Sequence, residues 1–149
     1  MLAFGRQMSD NNRQMAILQE TQRSEDISSP MIETVRKGFP ATRLDKMAQQ
    51  LSVNRAMVLA LLGLSERTLQ RKTQMEARLS PAVSDRLARM DRIIALATEV
   101  FGGTEKAVQW LKRPSRALGT EIPLRLLDTD AGTESVEREL RQIQYSFAY

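Results

Sequence analysis

The chain contains no cysteine and no histidine among its 149 residues. Structural zinc takes Cys or His ligands, so zinc fingers are excluded. Thiol nucleophiles and Ser-His-Asp triads are excluded with them. No disulfide framework can form, which suits a reducing compartment. Long apolar runs are missing too. The longest, Ala56 to Leu62, falls far short of the roughly 20 residues that a membrane helix needs. The first residues lack the continuous apolar segment of a signal peptide. These absences predict a cytoplasmic protein with no membrane partner, no metal and no cofactor.

What is present points to a folded, basic chain. The composition is 42% apolar and 27% charged, enough to bury one ordinary domain or two small ones. The net charge of +4 and a pI near 9.8 favour an anionic partner. The charge is uneven. Residues 1–75 carry 11 Lys/Arg against 7 Asp/Glu, and residues 76–120 carry 8 against 5. Residues 121–149 reverse the balance, with 3 against 6.

Residues 1–28 are rich in Gln, Asn, Ser, Asp and Arg and read as a mobile arm, although Met8, Met15 and Leu18 are spaced for a short amphipathic helix. Ser29-Pro30 is a helix start, with Met31, Ile32 and Val35 on an apolar face and Gly38 as the stop. After Pro40 a second helix is predicted from Thr42 to Leu51, on the i, i+3, i+4, i+7 spacing of Leu44, Met47, Ala48 and Leu51. Ser52 and Asn54 both offer a cap for a third, nearly all-apolar helix from Arg55 to Leu62.

Gly63-Leu64-Ser65 then supplies a turn: a left-handed glycine, a core plug and a cap. The fourth helix, predicted from Glu66 to Lys72, turns Leu69 inward. Two helices joined by a short glycine-containing turn, the second short and polar, match a helix-turn-helix. Arg and Gln pair bidentately with guanine and adenine edges, while Lys and Arg neutralise phosphates. The DNA-binding candidates are therefore Ser65, Glu66, Arg67, Gln70, Arg71, Lys72 and Gln74. An ordinary solvated helix face is the alternative.

Leu79-Ser80-Pro81 opens a long helix to Phe101, ended by Gly102-Gly103. Thr104 is expected to cap a short helix to Leu111, in which Trp110 reads as a core aromatic packed on Phe101. Pro123 to Leu127 reads as an apolar turn. A last helix is predicted from Thr133 to Tyr145, with Val136, Leu140 and Ile143 on one face. Asp128, Asp130 and Glu134 lack the full calcium-loop spacing and read as caps or helix-dipole partners. The tail, Tyr145, Ser146, Phe147, Ala148 and Tyr149, concentrates three of the seven aromatics in five residues. Such a cluster favours a partner interface, with docking back onto its own domain as the alternative. No stretch shows the period-two pattern of a strand, and there is no internal repeat.

The segments SDRLARMDRIIALATEVFGGTEKAVQWL and ALGTEIPLRLLDTDAGTESVERELRQIQY resemble the C-terminal toxin-binding domain of the Xre/MbcA/ParS antitoxins. The upstream LLGLSERTLQRK resembles that family's helix-turn-helix. The resemblance covers about residues 40 to 146 and is most specific at Trp110-Leu111, Leu118-Gly119, Pro123-Leu124, Leu126-Leu127, Thr129, Gly132, Val136, Leu140, Ile143 and Tyr145. Thr120 and Ser146 depart from it, since the family often has glycine at both places. The chain reads as all-α: an arm over 1–28, which lies outside the resemblance, then a helix-turn-helix domain over 29–78 and a small helical toxin-binding domain over 79–149 that includes the aromatic tail. The resemblance implies the partners, namely a RES-domain toxin that consumes NAD, operator DNA, and a second copy in a homodimer. Toxin binding is assigned to Tyr145 through Tyr149. An antitoxin that represses its own operon and has no catalytic activity is the expected function. A free-standing repressor whose C-terminal domain only dimerises or senses a ligand is the alternative.

Overall fold

A computed structural model describes residues 30–75 and 78–148, and for residues 72–75 the backbone alone. The proposed arm, the Ser29 cap and Tyr149 lie outside the described residues. The chain is all-helical, with a helix-turn-helix domain followed by a C-terminal helical domain. The elements are α1 (30–37), α2 (Thr42–Leu51), α3 (Arg55–Leu61), α4 (Glu66–Met75), α5 (Pro81–Phe101) and α6 (Thr104–Leu111). A single 3-10 turn (Arg116–Leu118), α7 (Pro123–Leu126) and α8 (Asp130–Phe147) complete it.

Local chemistry accounts for the ends of these helices. Of the two caps the sequence offered α3, Asn54 is the one used: its Oδ1 accepts the Met57 N–H at 2.8 Å. Ser80 caps α5, with Pro81 in the first turn. Two starts differ from the expectation. Thr104 is the first residue of α6, not its cap; Gly103 stands at the cap position without a side-chain bond. The last helix begins three residues before Thr133, because Thr129 Oγ1 accepts the Gly132 N–H and so caps the chain earlier. It also runs past Tyr145 to Phe147.

One continuous core runs through both halves. The α2 stripe of Leu44, Met47, Ala48 and Leu51 is buried as the spacing predicts. From α5, Val83, Leu87, Met90, Ile93, Ile94, Leu96 and Ala97 are buried. The helix-turn-helix end of α5 is bonded to what precedes it. Buried Ser84 accepts the Phe39 N–H at 2.8 Å, and Arg86 donates to the Leu62 carbonyl at 2.8 Å. Arg43 lies over the Phe39 ring and pairs with Asp91. Burial pushes the Asp91 carboxyl up, with the Arg43 guanidinium opposing.

The other end of α5 packs on α6 and α8. Helix α8 runs in the same direction as α5. Arg89 pairs with Asp130, Arg92 reaches Glu137 at 3.7 Å, and Gln144 donates to Glu99 at 3.0 Å. Trp110 does pack on Phe101, with ring centroids 5.6 Å apart, but both rings are only partly buried. Trp110 thus packs against the core from its edge, on Phe101 as expected, and is not fully enclosed by it. The buried positions of α6 go to the smaller Ala107, Val108 and Leu111.

Two backbone positions make testable demands of opposite sign. Gly132 sits where an added Cβ would lie 1.9 Å from the Leu126 carbonyl oxygen. Gly132→Ala should therefore destabilise by about 1–3 kcal/mol, as forced overpacking does, seen as a lower Tm with retained helicity. Unchanged stability would mean that α7 and α8 do not approach this closely. Thr120 holds a left-handed φ of 68°, unfavourable for a β-branched residue. Thr120→Gly removes a strain of about 1–2 kcal/mol and loses about 0.4–1 kcal/mol through the freer unfolded chain. A net stabilisation of up to about 1.5 kcal/mol is expected by denaturant titration, and a net loss would contradict the strain.

Candidate functional sites

Helix α4 is held to the body by little apolar area. Leu69 is buried, and Leu64 in the preceding turn is partly buried. Gly63 makes the turn at φ 67°, and the Leu64 N–H returns to the Leu59 carbonyl at 2.9 Å. Ser65 Oγ accepts the Thr68 N–H at 3.1 Å and is 2.8 Å from Thr68 Oγ1, so its hydroxyl is committed to capping. The helix extends three residues beyond Lys72, to Met75.

Helical register places positions 67 and 71 opposite Leu69 and position 70 to one side. Arg67, Gln70 and Arg71 are exposed, and the two arginines form no ion pair among the described residues. Glu66 is not so disposed. Its Oε1 lies 3.4 Å from Arg55 Nε, while Arg55 Nη1 donates to Asp45 Oδ1 at 2.7 Å. The candidate residues thus divide into a cap (Ser65), a paired carboxylate (Glu66) and an outward cationic face (Arg67, Arg71). Gln70 shares that outward exposure. Lys72 and Gln74 lie on the last turns of α4, where only backbone is described.

The second candidate site is the end of α8. Tyr145 and Phe147 are 70% and 69% exposed, so neither docks back onto the body. Ser146 and Ala148 are exposed as well. The tail does not leave the helix as a separate segment: Phe147 belongs to the last turn, and Ser146 Oγ donates to the Ile143 carbonyl at 2.7 Å. Two residues apart on a helix, Tyr145 and Phe147 project to nearly opposite sides and do not stack into one platform.

Three cations matter to the geometry that sequence reading did not single out. Arg55 ties Asp45 on α2 to Glu66 on α4. Arg86 satisfies the Leu62 carbonyl at the end of α3. Lys112, just past α6, donates to the Ser52 carbonyl at 2.9 Å at the end of α2. Nothing in the periodicity marks these pairs, because each joins residues that only the fold brings together. Of the acidic residues near the α8 start, Asp130 lies in the first turn and meets Arg89.

Comparison with known proteins finds two family matches along the chain. Residues 30–90 match the antitoxin Xre-like helix-turn-helix domain. Residues 96–145 match the antitoxin Xre/MbcA/ParS C-terminal toxin-binding domain. Antitoxin Xre of Yersinia enterocolitica is 31% identical over 107 residues, covering 71% of this chain and 72% of the relative. Antitoxin Xre of Pseudomonas putida is 35% identical over 112 residues, with 73% and 67% covered. The Prs ADP-ribosylating antitoxin of a Sphingobium species is 30% identical over 122 residues, with 76% and 77% covered. With a helix-turn-helix and a toxin-binding domain on one continuous core, and relatives that match most of its length, the chain belongs to the Xre antitoxin family.

Proposed function

We propose that this antitoxin neutralises a RES-domain, NAD-consuming toxin through its C-terminal domain and represses its own operon through α4, without catalytic activity of its own. The observation that carries the reading is a pair of exposed surfaces: the Arg67 and Arg71 side chains of α4 and the end of α8. They belong to different domains of one body, so two partners can be held by one chain. The name of the Sphingobium relative, an ADP-ribosylating antitoxin, supports a partner that handles NAD. In the DNA-bound state, α4 enters the major groove with Arg67, Gln70, Arg71, Lys72 and Gln74 toward the duplex. Ser65 and Glu66 sit at its capped end. A homodimer sets two such helices about one helical turn apart on a palindrome.

Toxin contact is assigned to Tyr145, Ser146, Phe147, Ala148 and Tyr149. An aromatic end on an acidic segment fits a cleft built to hold a dinucleotide, whose Arg side chains and backbone N–H groups attract anions. The end of α8 is proposed to cap that cleft and compete with NAD.

The two assignments are tested separately. Arg67→Ala with Arg71→Ala should weaken operator binding by about 1–3 kcal/mol for each residue that reads a base, measured by fluorescence anisotropy. Capture of the toxin in co-purification should be retained. Unchanged operator affinity in the double variant would remove α4 as the reader. Deleting residues 146–149 leaves the buried Val136 and Leu140 in place. The truncated chain should still bind the toxin but let NAD hydrolysis return. If it protects NAD as well as the full chain does, the end of α8 is not the plug.

A further inference from the structure

Helix α4 carries its one first-turn acid, Glu66, at the end where a recognition helix approaches nucleic acid. A carboxylate there suits the helix dipole but repels a phosphate at the same place. Across from it stands Arg55, the first residue of α3. Its Nη1 bonds to Asp45 on α2, and its Nε faces Glu66 on α4. One guanidinium on α3 therefore links α2 and α4 of the DNA-binding domain. The Nε atom is buried and makes no hydrogen bond, so charge attraction alone joins it to Glu66. The Arg55, Asp45 and Glu66 side chains are 36%, 53% and 52% exposed. Ion pairs this exposed add little to folding stability. Stability is thus a weak reason for the cluster, while its position on α4 is a strong one.

We infer that Arg55 is a positioning residue for DNA binding: it holds the Glu66 carboxylate toward α2 and α3 and offsets its charge, so that Arg67 and Arg71 meet the duplex with less competition from that anion. The inference rests on α4 being the DNA-facing helix. The restraint is mutual. Glu66 keeps the Arg55 charge from making an indiscriminate phosphate contact, so the pair favours operator over unrelated DNA.

The test is a double-mutant cycle on the full chain, using Arg55→Ala, Glu66→Gln and the two together. Binding is measured by anisotropy to a duplex from upstream of its own coding sequence and to an unrelated duplex, at two salt concentrations. Arg55→Ala should weaken binding to both duplexes by roughly tenfold, the effect of one unpaired charge near phosphates. The deficit should shrink as salt rises. Adding Glu66→Gln should restore affinity to within about twofold of the parent, a rescue that no loss of support for α4 would produce. Glu66→Gln alone should bind unrelated DNA more tightly and narrow the operator preference. Thermal unfolding and toxin capture are followed alongside, and Arg55→Gln replaces Arg55→Ala should the latter unfold early. A deficit that persists in the Glu66→Gln background overturns the inference, because Arg55 then contacts phosphate itself or supports the helix. The Arg67→Ala/Arg71→Ala variant is run on the same duplexes. If it binds both normally, α4 is not the reader and the inference falls with that premise, an outcome distinct from a failed rescue.

Discussion

Twenty-one residues of α5 make a helix of about 30 Å, and its buried row serves two sets of partners. At one end, Ser84, Arg86 and Asp91 are bonded to Phe39, Leu62 and Arg43 of the helix-turn-helix domain. At the other, the helix packs on α6 and α8. A buried Leu, Ile or Met contributes about 1.5–3 kcal/mol relative to exposure. Leu87, Met90, Ile93 and Ile94, each at most 2% exposed, belong to one core cluster with residues of both domains. Without that shared row, neither α4 nor the end of α8 would have a fixed base.

Polar contacts then set where the elements stop. Helix C-terminal carbonyls have no partner inside the helix and attract cations. Arg86 serves the end of α3 and Lys112 the end of α2, each from a distant part of the chain. The segment after α1 is fixed by backbone as well. Leu79 donates to the Phe39 carbonyl at 2.8 Å, and a Cβ on Gly38 would lie 2.1 Å from the Leu79 carbonyl oxygen. Glycine is required there twice over, by contact and by its φ of 84°. These contacts close the path from α4 back to the start of α5.

The two candidate interfaces differ in how they are held. Helix α4 buries Leu69 and depends on its cap, its turn and the Arg55 cluster for its position. The end of α8 is continuous with a helix anchored by Thr133, Val136 and Leu140, so Tyr145 and Phe147 are presented on helical backbone. An aromatic held in place loses less entropy on binding than one in a loose tail.

The helices of this protein were legible in the sequence because their signals are local. The α2 stripe, the Asn54 and Ser80 caps, the Gly63 turn and the all-helical class all follow from periodicity and from side chains that reach their own backbone. What lies beyond was decided by the tertiary structure. The demand for glycine at 132 came from the approach of the Leu126 carbonyl, which α7 brings against α8. Trp110 was left partly exposed because the space between α6 and α5 was filled by smaller side chains. Glu66 was turned from an outward acid into a paired one by Arg55, eleven positions earlier in the chain. Long flexible side chains choose partners by distance in space, and no pattern along a sequence records that distance until the helices have packed.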